Sequence, residues 1–160
     1  MYERILVPLD GSKVGEAALA HVEELLSDLI PETEVEVTLF QVISSLTPSV
    51  VAGEARAPIP YTKEEMEKIK EKAIDYLGEA GEGLRSKGAV VRARVKTKMG
   101  ISNAAEEIIK AAHEINANLI AISTHGSSGL TRWAFGSVTD KVLRGANVPV
   151  LMVRALERAR

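Results

Sequence analysis

The amino-acid sequence predicts a single α/β domain with an open, mostly parallel five-stranded sheet and helices on both of its faces. The chain has 160 residues, about the length of one domain. Its apolar residues fall in short runs without polar alternation, which is typical of strands buried on both faces. Between these runs, apolar residues return every three or four positions, as in amphipathic helices. Strands that alternate with helices favour right-handed crossovers and a parallel sheet.

Five apolar runs predict the five strands. They are Ile5 to Val7, Val35 to Val42, Val90 to Val95, Leu119 to Ile122 and Val148 to Val153. In an open parallel sheet, ligands bind beyond the carboxyl ends of the strands, where the strand order reverses. The loops that lead from a strand to a helix are therefore the places to search, and they are Leu9 to Ser12, Ser44 to Thr62, Thr97 to Ser102, and Ser123 to Gly136.

Helical periodicity predicts four helices. The first carries its apolar stripe on Val14, Ala18, Val22, Leu25 and Leu29. The second runs from Lys63 to Arg85 and has the clearest period. The third runs from about Asn103 to Ile115, with Asn103 as its cap. The fourth begins near Ser137, where Ser137 and Asp140 have the spacing of a capping box.

Composition excludes several classes of function. The formal net charge is −2, so a strongly basic nucleic-acid surface is not expected. There is no cysteine, and the three histidines lack the spacing of metal ligands. No apolar stretch approaches the roughly 18 to 20 residues that cross a bilayer, and the N-terminus lacks the apolar core of a secretion signal. We therefore expect a cytoplasmic protein with neither nucleic acid nor a membrane as its partner.

The domain is expected to cover residues 1–154, with a long loop at about 44–62 and a tail at 155–160. The long loop carries Pro48, Pro58 and Pro60 and exceeds the roughly 12 to 15 residues beyond which unstructured connections become uncommon. It is either a mobile surface insertion or a functional flap or interface arm, and the sequence does not choose between these.

The loop after the fourth strand is the densest in Gly, Ser and Thr. Small residues let backbone amides approach an anion, and a helix that starts at Ser137 would direct its free N–H groups toward that anion. The segment therefore resembles a phosphate cradle, although its glycines would equally serve to shape a turn. Gly136 is not followed by Lys, so this is not a Walker loop, and the first turn lacks the G-x-G-x-x-G of dinucleotide-binding domains. The segment Gly126 to Gly129 is not a G-x-S-x-G nucleophile elbow either.

Motifs along almost the whole chain resemble the universal stress protein family of the ATP-binding type, whose fold is Rossmann-like and similar to that of adenine nucleotide alpha hydrolases. The opening Ile5 to Ser12 resembles the first strand and aspartate turn of that family. The family's phosphate motif is Gly, two residues, Gly, nine residues, then Gly and Ser or Thr. Gly126 and Gly136-Ser137 match its spacing. Ser123 occupies the place of the first glycine, where a β-carbon would either crowd the nucleotide or be harmless, and Ser127 stands where many relatives carry a basic residue.

The resemblance implies that Asp10 approaches the ribose and that Val42 meets adenine through its backbone, with Pro8 lining the same pocket. It also implies phosphate contacts from the glycine-rich loop. Arg132 would either neutralise a terminal phosphate or remain a surface charge, and Asp10 would otherwise cap the first helix. The candidate nucleotide-binding residues are Pro8, Leu9, Asp10, Val42, Gly100, Ser123, Thr124, His125, Gly126, Ser127, Ser128, Gly129, Arg132, Gly136, Ser137, Val138 and Thr139.

The resulting hypothesis is a dimeric, nucleotide-responsive stress or signalling factor that binds ATP, alone or with Mg²⁺. The final apolar run would form a sheet edge that pairs with a second copy, and relatives in the family dimerise there. No residue is assigned a catalytic role. Two alternatives stay open: a slow ATPase or phosphotransfer enzyme, with Asp10 or His125 as the nearest candidate base, and a dimeric interaction protein of the same fold that has lost nucleotide binding.

Overall fold

A computed structural model describes residues 2–29, 33–48, 50–51, 53–99, 104–124 and 136–155. The elements in this part of the chain are β1 (Arg4–Pro8), α1 (Ala17–Leu29), β2 (Glu36–Ser44), β3 (Val50–Val51), β4 (Glu54–Ala55), α2 (Lys63–Ala80), α3 (Glu82–Ser86), β5 (Val90–Lys98), α4 (Ala104–Glu114), β6 (Leu119–Ser123), α5 (Ser137–Gly145) and β7 (Val150–Val153). None of the described helices is both long and apolar enough to span a bilayer.

Five parallel strands form one sheet in the order β5-β2-β1-β6-β7, which confirms the predicted fold class. The chain starts at the central strand β1 and moves outward through β2 to β5. It then returns past β1 and continues outward on the other side through β6 and β7. The strand order therefore reverses between β1 and β6, and this switch point is where an open α/β sheet offers room for a ligand.

The carboxyl edge of the sheet is stepped. Strand β1 ends at Pro8, which pairs with Phe40 of β2. Strand β2 continues through residues 41–44, and these pair with β5 up to Ser44 opposite Lys98. The ends of β2 and β5 therefore stand above the end of β1 as a side wall, and the space above β1 is open toward β6.

Two apolar clusters cover the two faces of the sheet because successive strand residues point to opposite sides. Ile5 and Val7 pack with α1, α2 and α3 on one face, whereas Leu6 packs with α4 and α5 on the other. All three side chains are fully buried, as the apolar run at the start of the chain predicts. Helices therefore lie on both faces of the sheet.

The predicted helix from Lys63 to Arg85 is two helices. Helix α2 begins with a capping box, in which the Thr62 side chain accepts from the Glu65 amide and the Glu65 side chain accepts from the Thr62 amide. Helix α2 ends at Ala80, Gly81 is its C-cap, and the short α3 begins at Glu82. A β-carbon at Gly81 would lie 2.8 Å from Cγ1 of Val91. The glycine therefore lets the chain pass close to the sheet, a tertiary contact that an apolar period cannot show.

Two predicted helix starts also differ from the structure. Ser137 is the first residue of α5 and not its cap, because the preceding Gly136 occupies the N-cap position and provides no side-chain bond. Asp140 pairs with Arg144 through two contacts of 3.0 and 3.1 Å and does not complete a capping box. Helix α1 begins at Ala17, so Val14 precedes it and is exposed. The predicted cap Asn103 lies outside the described residues.

The long loop after β2 is folded into an antiparallel arm in its described part. Leu46 forms a bridge with Pro60, and the amide of Thr47 donates to the carbonyl of Ile59 at 2.8 Å. The two-residue strands β3 and β4 pair at the far end of this arm. The described residues of the arm are therefore held by backbone hydrogen bonds, whereas the sequence left open whether this loop is a mobile insertion or a functional flap or interface arm.

Candidate nucleotide-binding site

The turn after β1 holds Asp10 at the carboxyl edge of the sheet. Its Oδ1 accepts hydrogen bonds from the amide of Ser12 at 2.9 Å and from the Ser12 hydroxyl. The Ser12 hydroxyl oxygen in turn accepts from the amide of Gly15 at 3.0 Å. A β-carbon at Gly15 would lie 2.4 Å from Oδ1 of Asp10, so a side chain there would displace the Asp10 carboxylate from this position. The turn orients Asp10, which is exposed, and Asp10 precedes the first residue of α1 by too much to cap that helix.

The backbone of Val42 faces the open step above β1. Along β2, the amide of Glu36 donates to Glu3 and the carbonyl of Phe40 accepts from Leu9 at 2.8 Å, so these even-numbered residues bond toward β1. Alternate residues of a strand bond to the same side, and the N–H and C=O of Val42 therefore point the same way. Because β1 has ended, no described residue pairs with them there. Among the described residues, the result is an unmet donor and acceptor on one strand edge.

Pro8 and Leu9 support this step with their side chains in the core. Both are buried, and Leu9 belongs to the apolar cluster beneath α1. The side chain of Val42 packs against the other cluster, on the α4 side. These three residues therefore present backbone rather than side-chain groups to the edge of the sheet.

Two hydrogen bonds tie the start of α5 to the end of β6, and a third ties the end of β6 to the turn before α1. The Thr139 hydroxyl donates to the Ser123 carbonyl at 2.9 Å, and the Gly136 amide donates to the Thr124 carbonyl at 2.9 Å. The Ser123 hydroxyl donates to the Gly15 carbonyl at 3.0 Å. Together they hold the beginning of α5 beside the turn that carries Asp10.

Helix α5 begins with three amides that the helix itself does not bond. The first intrahelical bond is from Asp140 to the carbonyl of Gly136, at 3.0 Å. The amides of Ser137, Val138 and Thr139 precede it, and within the described part of the chain they have no partner. They carry the positive end of the helix dipole. This end of α5 is therefore suited to bind an anion.

These contacts show which hydrogen-bond donors of the predicted phosphate-binding residues are already used within the protein. The Gly136 amide and the Thr139 hydroxyl already donate to protein carbonyls, which leaves the Thr139 amide for a ligand. Ser137 is exposed at the start of the helix. Ser123, the departure from the glycine motif, is buried and turns its hydroxyl toward the α1 side of the sheet, which favours a harmless substitution over crowding.

Seven of the predicted nucleotide-binding residues belong to two strand-to-helix loops. The residues concerned lie outside the described part of the chain, and their roles stay predictions. They are Gly100, His125, Gly126, Ser127, Ser128, Gly129 and Arg132.

Sequence reasoning missed the groups that support Asp10 from behind. Ser12 and Gly15 fix the conformation of the turn that carries Asp10. The sequence spacing Asp-Gly-Ser-x-x-Gly could have indicated both residues. Beneath that turn, Oε1 of Gln41 is buried without a hydrogen-bond partner among the described residues, and the hydroxyl of Tyr76 is buried beside Glu16 and Gly11. Burial raises the pKa of Tyr76, and the negative charges of Glu16 and Asp10 raise it further. No one-dimensional pattern predicts this cluster, because its members come from three separate elements.

A second missed feature is the ion pair between Lys98 and Glu107. The buried Glu107 carboxylate, in the first turn of α4, lies 2.8 Å from Nζ of Lys98 at the end of β5. The hydrogen bond from Lys98 lowers the pKa of Glu107 against the opposing effect of burial, and the same contact raises the pKa of Lys98. The pair joins the side wall to the beginning of α4.

Fold and site together define an α/β protein whose sheet opens at its switch point between the Val42 strand edge, whose backbone groups have no partner among the described residues, and the start of a helix. The sequence model of the universal stress protein family matches residues 1–154, and the chain belongs to that family. It is 31% identical over 170 residues to universal stress protein MJ0577 of Methanocaldococcus jannaschii, with 96% of each chain covered. It is also 29% identical to YxiE of Bacillus subtilis, over 96% of this chain and 100% of the relative.

Solved structures agree with the family assignment. The structure of MJ0577 superposes with a TM-score of 0.74 at 26% identity and covers 99% of each chain. The universal stress protein of Archaeoglobus fulgidus, solved in complex with dAMP, superposes with a TM-score of 0.57 at 22% identity, over 94% of this chain and 97% of that one. The second likeness shows the shared fold.

Proposed function

We propose that this protein binds an adenine nucleotide, ATP, in the stepped cleft above β1, with its base toward β2 and its phosphates toward α5. The observation that carries the proposal is two sets of backbone groups at opposite sides of one opening, the Val42 edge and the first amides of α5, neither of which has a partner in the described part of the chain. A ligand that satisfies both must carry a planar donor-acceptor edge and an anionic tail. An adenine nucleotide has both, and the dAMP bound by the Archaeoglobus fulgidus protein is of this class.

Adenine fits the Val42 edge by its hydrogen-bonding pattern. The base carries an exocyclic amino donor beside a ring-nitrogen acceptor, and the strand offers a carbonyl and an amide in complementary order. Guanine has the reverse order on the corresponding edge, with a carbonyl acceptor beside a protonated ring nitrogen. If guanine bound here, the backbone N–H and C=O of Val42 would lose their hydrogen-bond partners, and affinity would fall. The same edge that accepts adenine therefore selects against guanine.

The ribose would lie beside Asp10, whose position the Ser12 turn holds, and the carboxylate would accept from ribose hydroxyls. The phosphates would lie at the start of α5, where the amides of Ser137, Val138 and Thr139 and the Ser137 hydroxyl donate. The predicted loop residues from His125 to Gly129, with Arg132, would complete this cradle. Mg²⁺, when present, would reach the site with the phosphates, and no protein ligand is assigned to it.

The cellular role that we propose is that of a cytoplasmic, homodimeric stress or signalling factor. Strand β7 supports the dimer because it is an edge strand whose residues 150–152 are only partly buried. Such an edge offers a row of backbone donors and acceptors to a second copy. Nucleotide binding would then act on loop order, dimer contacts or the choice of partner.

The nucleotide part of the proposal is tested by identifying what the protein carries. The purified full-length chain is denatured, and any released small molecule is identified by mass spectrometry. The emptied protein is refolded and titrated calorimetrically with ATP and with GTP, each with and without Mg²⁺. We expect ATP to be retained or to bind, and GTP to bind at least 10-fold more weakly. Absence of ATP binding by a folded dimer would support the alternative of an interaction protein that has lost the ligand.

A further inference from the structure

We propose that Tyr76 of α2 is a positioning residue for the ribose contact, because its hydroxyl supports from beneath the turn that carries the Asp10 carboxylate. That turn, hereafter the Asp10 turn, consists of residues 10–16. The inference rests on the proposed nucleotide binding and adds to it a residue outside the cleft. Since the Tyr76 hydroxyl is buried, it would act through the turn and would not touch the nucleotide.

The hydrogen bonds of the Asp10 turn fix its internal shape. They link the Asp10 carboxylate to Ser12, and Ser12 to the amide of Gly15. On the β6 side, the Gly15 carbonyl accepts from the Ser123 hydroxyl. No side chain of residues 11–14 is buried. On the β2 side, the position of the turn therefore depends on what lies beneath it.

Tyr76 reaches the Asp10 turn from beneath. Its side chain packs against the apolar cluster on the α1 side of the sheet. Its buried hydroxyl lies beside the backbone of Gly11 and the side chain of Glu16. Gly11 directly follows Asp10, and Glu16 directly precedes the first residue of α1. One hydroxyl group therefore lies beside both ends of the turn.

A phenol hydroxyl suits this place, because it has one proton to donate and lone pairs that accept. The Glu16 carboxylate is an acceptor, and the contact with Gly11 lowers the pKa of Tyr76, as a backbone N–H donor does. Burial, followed by the negative charge of Glu16, raises the pKa overall, so the hydroxyl keeps its proton at neutral pH. A phenylalanine ring would fill the same space but would meet neither polar group.

Gln41 lies on the other side of Gly11. Its Nε2 would be 3.6 Å from a β-carbon at Gly11, and Gln41 precedes Val42 in β2. Gly11 therefore lies between α2 and the strand whose edge would bind adenine. Loss of the Tyr76 hydroxyl would let the turn shift relative to that edge. The base and the ribose hydroxyls could then no longer both be bound at full strength.

The variant Tyr76→Phe tests this role, because it removes the hydroxyl and keeps the ring. The full-length variant is titrated calorimetrically with ATP and with 2′,3′-dideoxy-ATP, which lacks both ribose hydroxyls. We expect ATP to bind roughly 5-fold more weakly than to the wild type. We expect the dideoxy compound to bind with unchanged affinity, because it offers Asp10 no hydroxyl.

Tyr2→Phe is the matched control. It removes the hydroxyl of a tyrosine that is 37% exposed and precedes β1, at the end of the sheet opposite the cleft. Its affinity for both ligands should equal that of the wild type. Glu16→Ala removes the acceptor beside Tyr76 and should reproduce the ribose-dependent loss, which keeps the test decisive if Tyr76→Phe does not fold.

The two ligands separate the possible outcomes. Equal losses for ATP and the dideoxy compound in Tyr76→Phe would show a general loosening of the cleft and overturn the positioning role, as would no loss with ATP. A wild type that binds both ligands equally would exclude the ribose contact, and with it the role of Tyr76, while nucleotide binding stands. A folded wild type that binds neither ligand would overturn the proposed function as well.

Discussion

At the scale of single residues, the candidate site depends on how closely backbone and carboxylate approach one another in the turn after β1. Asp10 is predictable because a polar residue directly after a buried strand marks the carboxyl edge of a parallel sheet. The effect of a side chain at position 15 on Asp10 is not predictable in this way. It comes from the distance between Gly15 and Asp10 in space, and the spacing of the residues in sequence does not contain it.

Replacing Gly15 with Ala should weaken ATP binding at least 10-fold. The new methyl group would displace the Asp10 carboxylate, which a β-carbon would approach to 2.4 Å, and so disturb the predicted ribose contact. Calorimetric titration with ATP measures the effect. Gly78→Ala is the matched control, because a β-carbon there meets nothing within 4 Å.

The control variant carries its own prediction. Gly78 lies inside α2, where alanine is the better helix former, so Gly78→Ala should raise the free energy of unfolding by up to about 1 kcal/mol. Its ATP affinity should equal that of the wild type. Equal ATP affinities for the wild type, Gly15→Ala and Gly78→Ala would show that the Asp10 turn is not part of the binding site.

At the scale of elements, helices and strands were predicted well where periodicity decides them and poorly where tertiary contacts do. The five sheet strands follow from their apolar runs. The break at Gly81 was missed because the apolar period continues across it while the backbone approaches Val91. The N-cap of α5 was predicted at Ser137 but is Gly136, one residue earlier. No side-chain cap marks this start, because hydrogen bonds to β6 hold it in place.

The Lys98–Glu107 pair is expected to stabilise the junction between β5 and α4. Lys98→Met should leave a buried carboxylate without its cation and lower the thermal midpoint by a few degrees. Arg92→Met is the control, because its partner Glu36 and its own side chain are more exposed and such pairs contribute little. Thermal unfolding followed by circular dichroism at neutral pH makes the comparison.

The stability difference between wild type and Lys98→Met should depend on pH. The pKa of Glu107 is lowered in the folded protein, so the stabilisation is complete above the ordinary glutamate value near 4.5 and is lost as the pH falls through the lower folded value. The midpoints of the two proteins should therefore converge in acid. A difference that is constant from neutral pH to pH 3 would show that Lys98 acts through packing instead.

At the scale of the whole molecule, the site exists because strands of unequal length stand side by side. The overhang of β2 and β5 above β1 exposes the Val42 edge, and the crossover to β6 brings the start of α5 to the other side of the opening. The sequence predicts the strands and the switch point, but not the register that makes the step. Register depends on pairings between distant segments, such as Pro8 with Phe40 and Ser44 with Lys98.

The proposed dimer is also a property of the whole molecule. Leu151→Arg places a charge in the centre of the β7 edge, and we expect it to convert a dimer into a monomer because the charge would be buried between the two sheets' edges. Analytical ultracentrifugation should give the mass of one 17.2 kDa chain for the variant and twice that mass for the wild type. ATP binding should persist in the variant, since β7 lies outside the cleft. A dimeric variant would place the interface elsewhere.

The central claim is that one opening joins a base-binding strand edge to a phosphate-binding helix start. Calorimetric titration of the same emptied protein with ATP and with adenosine tests it most directly, because the two ligands share the base and ribose and differ only in the phosphates. The account predicts that ATP binds at least about 100-fold more tightly, through the amides at the start of α5. Equal affinities for ATP and adenosine, or binding of neither by a folded protein, would contradict it.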